Sequence, residues 1–503
     1  MQGWRAELPA RNKLIVYTGG VRLAEIQTAS AARAEAPAKT EPWRWIAALA
    51  PGLILYFAPV PGLNPVQRHL VAVFTATIVA LVAQPIPMGA SVLVAMTVLA
   101  LTRTVPPTKV LSGFSNATVW LIFTAFLFAR AVTATGFGLR VAYLFIRRFG
   151  HSSLTLGYSI AAADAVLGPF VPSDTARGGG IIYPIARSLA QAFDSEPGPS
   201  ARRLGAFLML VGFHTTYVAS AMFLTSMAAN PLIAEFAHRV AGVDLTWLRW
   251  AEASIVPGLL SLTLVPLVLY KLYPPEVRDT EAARQLARDE LKSMGRMSPR
   301  ERLLVVIMAG VMIGWITSPW HGINNAYVAL AGVSAILACR VLAWDELLSE
   351  KKAWDALIWF GPLLMMADML NETGVIKIAS GAVFVHLKGW PWILAMATLV
   401  VSYLYIHYGF ASMTAHITAL YPGFLASAVA LGAPPLLAAF LLAFFSNLNA
   451  GITHYGTGSA PVYFGAGYVP QATWWRLGFI VSLVNLFFWL GIGSLWWKAI
   501  GLW

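Results

Sequence analysis

The sequence predicts an all-α polytopic membrane protein of about eleven transmembrane helices, in which the second half repeats the first in inverted orientation. Three observations favour this fold. Hydrophobic residues make up 58% of the 503 residues and charged residues 12%, with a mean hydropathy of +0.67, whereas a soluble domain is about 25% charged. The apolar runs are apolar on every face, which excludes the alternating strands of a β-barrel. Three short motifs recur in the same order in both halves.

The charge pattern and the cysteine count exclude several other classes of protein. The net charge of +12 comes mainly from basic residues in the short segments between spans, as the positive-inside rule predicts, so nucleic acid is not an expected partner. The single cysteine, Cys339, excludes an internal disulfide. The sequence holds no zinc-type Cys/His cluster, phosphate-binding loop or dinucleotide motif. We therefore expect no metal, no cofactor and no enzymatic activity.

Charge divides the chain into four parts. Residues 1–42 are polar, lack the apolar core of a signal peptide and are expected to form a cytoplasmic N-terminal tail. Residues 43–272 form the first half, which includes the first repeat. Residues 273–302, in which acidic and basic residues alternate, are expected to form a charged cytoplasmic linker with a helix. Residues 303–503 form the second repeat.

Successive apolar runs of about 20 residues predict the spans. In the first half these runs are 46–67, 70–102, 110–129, 153–172, 204–234 and 253–270. The second run is too long for one span and is divided by QPIPMG, and the fifth is interrupted by TSMAANP. In the second half the runs are 303–317, 326–342, a short piece at 356–367, an uncharged region at 389–475 and a last span at 477–497.

An internal repeat explains the interrupted runs. The segment PSDTARGGGIIYP resembles ASMTAHITALYP, and Thr175 and Thr414 are 239 residues apart (414 − 175). The segment TATGFG pairs with NETGVI, in which Gly136 and Gly374 are 238 residues apart (374 − 136), and SMAANPLI pairs with GTGSAPVY. Repeats of this kind are typical of secondary transporters, whose substrate sites lie at broken helices.

Charge also predicts how the two copies are oriented. Segment 130–150 has four arginines and no acidic residue, whereas segment 368–388 has two acidic residues and two lysines. The positive-inside rule places the first segment inside the cell and the second outside, which requires an odd number of spans per copy, about five. We expect the N-terminus and the linker inside and the C-terminus outside.

Hydroxyl groups at the interruptions predict the functional site. Each copy carries the sequence Ser-X-Thr-Ala where a broken helix is expected to begin again, and irregular backbone is tolerated in a membrane only where it lines a cavity or is buried in protein. The free N-terminus of a helix favours an anion. The hydroxyls of Ser173, Thr175, Ser412 and Thr414 are therefore predicted to contact a small anionic substrate.

Four further residues complete the predicted site. Arg177 and His416 each lie two residues after the threonine of their copy and are predicted to supply positive charge. Asn230 and Thr457, in the later interruption of each copy, are predicted substrate contacts. The alternative is that Arg177 only pairs with Asp174 and that His416 packs between helices.

Four motifs carry a resemblance to a known family. They are GFSNATVWLIFTAF, VPSDTARGGGIIYPI, SMTAHITALYP and the long THYGTGSAPVYFGAGYVPQATWWRLGF. From about residue 43 to its C-terminus the chain resembles the divalent anion:sodium symporter family. Within it, the chain is most similar to the exchanger branch of bacterial citrate/succinate antiporters and the plastid 2-oxoglutarate/malate translocator. The resemblance implies a homodimer with eleven spans, two re-entrant hairpins and an elevator mechanism, in which a transport domain moves against a fixed scaffold.

The resemblance also implies the residues of the substrate site. The family binds its substrate with two Ser-Asn-Thr motifs at the hairpin tips, which correspond to residues 173–175 and 412–414 of this chain. Asp174 and Met413 stand where the family has asparagine. Methionine is a poor ligand for a hard cation, and an aspartate repels a dianion unless it is protonated or paired. We therefore expect that Na⁺ is not required.

Together these observations predict sodium-independent exchange of di- and tricarboxylates such as 2-oxoglutarate, malate, succinate or citrate. The alternative within the same class is a sodium- or proton-coupled importer of dicarboxylate or sulfate. A membrane enzyme would need a nucleophile with a base or a metal cluster, and the sequence offers no convincing set. A channel would lack the paired, closed site that the two copies predict. The expected partners are small carboxylates, the lipid bilayer and a second copy of the chain.

Overall fold

The described part of the chain is built from helices. The computed structural model describes residues 41–58, 62–378, 381, 387–410 and 412–503. Within these ranges the β-type pairing is an isolated antiparallel bridge between Ser152 and Asp279. The predicted all-α class is confirmed. Most of the predicted N-terminal tail, residues 1–40, lies outside the described residues.

The helices of the first half follow one another with short connections. The longer ones are α1 (Pro42–Phe57), α2 (Pro65–Ala83), α3 (Met88–Leu101), α4 (Ala117–Thr135), α5 (Phe137–Phe149), α6 (Ser153–Leu167), α7 (Tyr183–Ala192), α8 (Gly205–Met222), α9 (Asn230–Ala241) and α10 (Trp247–Leu272). Single turns of helix occur at Pro107–Val110, Ser112–Ser115 and Gly168–Phe170, and the π-helical segment Thr175–Ile182 leads directly into α7.

The linker and the second half are also helical. Their longer helices are α11 (Glu281–Ser293), α12 (Pro299–Ile316), α13 (Asn325–Ala338), α14 (Lys351–Glu372), α15 (Trp392–Ile406), α16 (Met413–Ala430), α17 (Pro435–Leu448), α18 (Ala460–Gly465), α19 (Gln471–Asn485) and α20 (Gly493–Ala499). Single turns occur at Ser318–His321, Trp344–Leu348, His407–Gly409 and Asn449–Gly451, and the π-helical segment Leu486–Ile492 joins α19 to α20. The helix predicted within the linker is α11.

Length and apolar composition identify membrane-spanning helices. Among the described residues, seven helices are long and apolar enough to cross a membrane: Pro65–Ala83, Ala117–Thr135, Gly205–Met222, Trp247–Leu272, Lys351–Glu372, Trp392–Gly409 and Gln471–Ala499. Three shorter apolar helices are Met88–Leu101, Asn325–Ala338 and Pro435–Gly451. The chain is thus a multi-pass membrane protein, and the total of about eleven spans stays a prediction.

Two broken helices, one from each half, lie at the centre of the protein. Every residue of α8 is buried, as is every residue of α17 from Leu437 onward. The chain that begins as α8 is interrupted at 223–229 and continues as α9, and the chain that begins as α17 is interrupted at 449–459 and continues as α18. The interruption predicted from TSMAANP is therefore confirmed. We call 223–229 the first interruption and 449–459 the second interruption.

A helical hairpin precedes each broken helix. In the first hairpin, α6 is followed by a bend at 168–174 and by the segment that ends with α7, and in the second hairpin a bend at 407–412 separates α15 from α16. Pro169 and Pro172 fall in the first bend, where proline prevents the α6 ladder from continuing. The two halves thus present hairpin and broken helix in the same order, as the sequence repeat predicts. Their inverted orientation stays a prediction.

One helix is longer than its sequence indicates. The apolar composition predicts only a short piece at 356–367, whereas α14 has 22 residues. The charged residues Asp355 and Asp368 limit the apolar run but not the helix. Asp368 forms an ion pair with Arg239 of α9, which compensates its charge within the protein.

Backbone hydrogen bonds attach the linker to the connections at both ends of the first hairpin. The N–H of Thr280 donates to the carbonyl of His151 at 3.0 Å, just before α6, and the N–H of Val277 donates to the carbonyl of Arg203 at 2.9 Å, in the connection from α7 to α8. These backbone bonds hold the two connections at the base of the hairpin against residues 274–280. The first hairpin and the start of the linker are therefore one structural unit.

We expect the linker to react from the cytoplasm and the C-terminus from outside, because copies of five spans each have opposite orientations. The exposed Cys339 is first replaced by serine. A cysteine introduced by Asp289→Cys in α11, or appended after Trp503, is then labelled in intact and in permeabilised cells with a membrane-impermeant maleimide. Labelling of both positions from the same side would contradict the inverted repeat.

Candidate functional site

The first tip, residues 173–175, and the second tip, residues 412–414, are built in the same way. In each, the serine Oγ accepts a hydrogen bond from the N–H three residues later, at 3.2 Å for Ser173 and 3.3 Å for Ser412. Such a bond satisfies one of the N–H groups that a helix start leaves free. The positive end of the helix dipole stays at the tip, so each tip suits a carboxylate.

The hydroxyl groups of the second tip are accessible, and its middle side chain is not. Ser412 and Thr414 are half-buried, whereas Met413 is buried with 5% of its surface exposed. Within the described part of the chain, the hydroxyl of Thr414 makes no hydrogen bond. Thr414 therefore has both a donor and an acceptor to offer to a bound anion.

The first tip contacts the second interruption, which belongs to the other half of the chain. The hydroxyls of Thr457 and Ser459 both donate to Oδ2 of Asp174, the latter at 3.1 Å. Gly458 lies between them, and a Cβ at that position would overlap the hydroxyl of Thr175. The absence of a side chain at Gly458 thus allows the close approach that places Asp174, Thr175 and Thr457 together.

The second interruption also contacts the second hairpin. His407, in the bend just before the second tip, is hydrogen-bonded through Nε2 to the carbonyl oxygen of Gly456 at 2.7 Å. The same short segment, Gly456 to Ser459, therefore makes two hydrogen bonds to the first hairpin and one to the second. It links the first tip to the bend that precedes the second tip.

The guanidinium of Arg177 uses all five of its N–H donors inside the first half. Its partners are Asp164 at 2.8 Å, the carbonyls of Val171, Thr216 and Ser226 at 2.8–3.0 Å, and the hydroxyl of Ser220 at 2.7 Å. The side chains of Arg177 and Asp164 are both 0% exposed. This geometry corrects the expectation that Arg177 offers its charge to the substrate. It also shows that the partner of Arg177 is Asp164 and not Asp174.

The side chain of Asn230 joins the two broken helices. Its Nδ2 donates to the carbonyls of Ser220 at 2.9 Å and Phe223 at 3.0 Å, and its Oδ1 accepts from Nδ2 of Asn447 at 2.9 Å. Asn230 is fully buried, and its amide is used within the protein. The structure therefore places this predicted substrate contact in a structural role at the start of α9.

The ring of His416 packs among aromatic side chains. Its centroid lies 4.3 Å from that of Tyr403, 5.0 Å from that of His407 and 5.3 Å from that of Phe410. The residue is 0% exposed, and neither ring nitrogen has a hydrogen-bond partner within the described residues. This placement agrees with the alternative that His416 packs between helices behind the second tip.

Of the ten predicted residues, six form the two tips, and the structure places a seventh, Thr457, against the first tip. That these residues bind a substrate stays a prediction. Sequence reasoning missed Ser459 as a partner of Asp174 and Asn447 as a partner of Asn230. Ser459 lies in the same Gly-rich stretch as Thr457, which was the available signal. Within the described ranges, no three His, Cys, Asp or Glu side chains are grouped to hold a metal ion.

Comparison with known proteins identifies relatives along nearly the whole chain. A family model described as the sodium:sulfate symporter transmembrane region matches residues 39–503. YflS of Bacillus subtilis is 50% identical over 457 residues, which cover 90% of this chain and 96% of YflS. The chloroplastic dicarboxylate transporter 1 of Arabidopsis thaliana is 46% identical and matches 91% of this chain and 83% of its own. The L-tartrate/succinate antiporter of Shigella flexneri is 35% identical and matches 91% and 98%.

Solved structures support the fold. The YdaH transporter of Alcanivorax borkumensis superposes with a TM-score of 0.54 at 16% sequence identity, over 92% of this chain and 98% of its own. The MtrF efflux pump of Neisseria gonorrhoeae superposes with a TM-score of 0.53 at 12% identity. At these identities the likeness concerns the fold alone.

We expect Arg177→Ala to lower the thermal stability of the purified protein even without substrate. Removing one partner of a buried ion pair leaves an uncompensated charge and costs about 3–5 kcal/mol. The control is Arg187→Ala, which removes an exposed arginine from the same arm of the hairpin. Both are followed by thermal unfolding in detergent. Equal melting temperatures for the two variants would show that the five bonds of Arg177 are not structural.

Proposed function

Because the chain belongs to the sodium:sulfate symporter, or divalent anion:sodium symporter, family, we propose that it carries dicarboxylates across a membrane. The names of the relatives support this substrate class: one is a dicarboxylate transporter and another an L-tartrate/succinate antiporter. Every relative reported above is a transporter, so the chain is a transport protein and not an enzyme. We further propose that it exchanges one di- or tricarboxylate for another, such as 2-oxoglutarate, malate, succinate or citrate.

The observation that carries the proposal is the matching construction of the two tips. Each offers a serine-capped helix start and a threonine hydroxyl, and the second interruption contacts both hairpins. One carboxylate of the substrate binds at Ser173 and Thr175, and the other at Ser412 and Thr414. Two separate anion-binding helix starts suit a substrate with two carboxylates better than a monocarboxylate.

Movement of these two tips completes the proposed transport cycle. Both hairpins and both broken helices move together as a transport domain, in an elevator mechanism, against a scaffold that contains the remaining spans. The carrier works as a homodimer in a bacterial inner membrane, with its N-terminus inside and its C-terminus outside.

We propose that exchange does not require sodium. Met413 occupies the middle of the second tip, and its thioether is a poor ligand for a hard cation. The second candidate function is sodium-coupled import of sulfate or dicarboxylate, which the description of the matching family model favours. The two candidates differ in their need for Na⁺ and for substrate on the far side of the membrane.

We expect uptake of labelled dicarboxylate into proteoliposomes to require unlabelled dicarboxylate inside and to continue at full rate when choline replaces Na⁺. An exchanger returns across the membrane only when loaded, whereas a symporter returns empty. Malate, succinate, 2-oxoglutarate, citrate, tartrate and sulfate are each tested. Equal initial uptake into empty liposomes would refute exchange, and a strict requirement for Na⁺ would support the symporter.

We expect Thr414→Val to raise the KM for dicarboxylate about tenfold or more. A hydrogen bond to a charged group contributes roughly 1.5–3 kcal/mol, and about 1.4 kcal/mol corresponds to a factor of ten. The control is Thr418→Val, one turn further along α16, because the hydroxyl of Thr418 donates to the carbonyl of Thr414 within the helix. Equal KM values for both variants and the wild type would remove Thr414 from the site.

A further inference from the structure

The first tip carries a carboxylate where an anionic substrate is expected to bind. Asp174 is 7% exposed, and its Oδ2 accepts hydrogen bonds from the hydroxyls of Thr457 and Ser459. Among the described residues, its Oδ1 accepts a hydrogen bond only from the hydroxyl of Thr175, at a long 3.4 Å. One oxygen of this carboxylate is therefore fully used within the protein, and the other has capacity for a further partner.

No cation compensates this carboxylate within the described residues. The nearest arginine in sequence, Arg177, is bonded to Asp164, and none of its five N–H donors reaches Asp174. Asp164 and Arg177 together are neutral. The ionised first tip thus has a net charge of −1 before any substrate arrives.

The other ionisable groups around Asp174 do not supply the missing positive charge. The packed elements contribute Asp164 from α6, Arg177 from its own segment and Tyr463 from α18, whose hydroxyl donates to the carbonyl of Gly178 at 2.9 Å. The second interruption contributes the neutral hydroxyls of Thr457 and Ser459 and two titratable side chains, His454 and Tyr455. Nδ1 of His454 accepts a hydrogen bond from Nε1 of Trp475 at 3.3 Å, and the hydroxyl of Tyr455 donates to the carbonyl of Tyr408 at 3.4 Å. At the second tip, His407 and His416 lie behind the tip among aromatic rings.

A dianion and an ionised Asp174 repel each other strongly in a site where little water screens them. We propose that Asp174 is a proton-binding site, which takes up one proton when a dicarboxylate binds and releases it when the dicarboxylate leaves. This inference rests on the proposed carboxylate exchange. The proton comes from water on the side where the substrate loads, forms an O–H bond at Oδ1, and returns to water on the opposite side.

The arrangement around Asp174 suits this task. A proton on Oδ1 turns a repelling group into a donor aimed at a substrate carboxylate, while Oδ2 keeps the hydrogen bonds from Thr457 and Ser459. A neutral Asp174 presents the same donor and acceptor pattern as an asparagine. The bound proton thus takes the place of a cation as the positive charge that accompanies the substrate.

The first test compares exchange by the wild type and by Asp174→Asn in proteoliposomes over a range of pH, with equal pH on both sides. The wild-type rate rises as pH falls, by up to about tenfold per pH unit, the limit for one proton. Each profile is normalised to the maximal rate of the same protein, and the normalised profile of Asp174→Asn lacks this additional dependence. The protonation of the substrate itself is common to both proteins, so the difference between the profiles reports on Asp174.

Two control variants make the result specific. Asp194→Asn removes an exposed acidic residue beyond the end of α7 and is expected to keep the wild-type profile. His416→Gln removes the titratable group behind the second tip. If His416→Gln loses the pH dependence and Asp174→Asn keeps it, or if all profiles superimpose, the proposal is overturned.

A second measurement does not depend on the activity of a variant. Calorimetric binding of succinate to the wild type, repeated in buffers of different ionisation enthalpy, counts the protons taken up, and about one per substrate is expected. Asp174→Asn takes up none. Binding of succinate without proton uptake by the wild type overturns this inference and leaves the exchanger intact, whereas the absence of carboxylate binding and exchange at every pH refutes the proposed function itself.

Discussion

The structure depends on a single constraint, that backbone groups freed by a broken helix must find partners where no water reaches them. Arg177 meets part of this need in the first half. Its guanidinium donates to the carbonyl of Val171 in the bend of the first hairpin and to that of Ser226 in the first interruption. One side chain therefore satisfies acceptors from two breaks at once. Asp164 compensates the charge that this task brings into the interior, which explains why an apolar chain carries both residues.

The two halves meet the same need with different chemistry. The first half buries an ion pair, whereas the second half bonds the ring of His407 to the carbonyl of Gly456 and surrounds His416 with aromatic rings. The halves are then joined by polar contacts, from Asn230 to Asn447 between the two broken helices and from Ser459 of the second interruption to Asp174 of the first tip. The two copies therefore repeat the same backbone path, whereas the side chains that bond the freed backbone groups differ between them.

Much of the fold followed from the sequence, because apolar run length and the repeated Ser-X-Thr-Ala motif report directly on spans and breaks. The tips at Ser173 and Ser412 were predictable for the same reason, since a hydroxyl before a helix start is a local signal. The partner of Arg177 was not, because Asp164 and Asp174 are equally available in sequence and only the packing of α6 against the following segment separates them. The length of α14 was underestimated because the charge of Asp368 ends the apolar run. In the structure an ion pair with Arg239 of α9 compensates this charge, and the helix continues past it.

The hydrogen bonds of the first tip also set an order for the biogenesis of the protein. All partners of Arg177 lie between Asp164 and Ser226, so its charge is compensated as soon as the first half has been inserted into the membrane. The hydrogen bond from Thr457 to Asp174 can form only after a further 283 residues have been synthesised. At about 5–20 residues per second this is a delay of roughly 15–60 s. Until the second interruption has been synthesised, Asp174 lacks the two hydroxyl donors that it has in the complete protein.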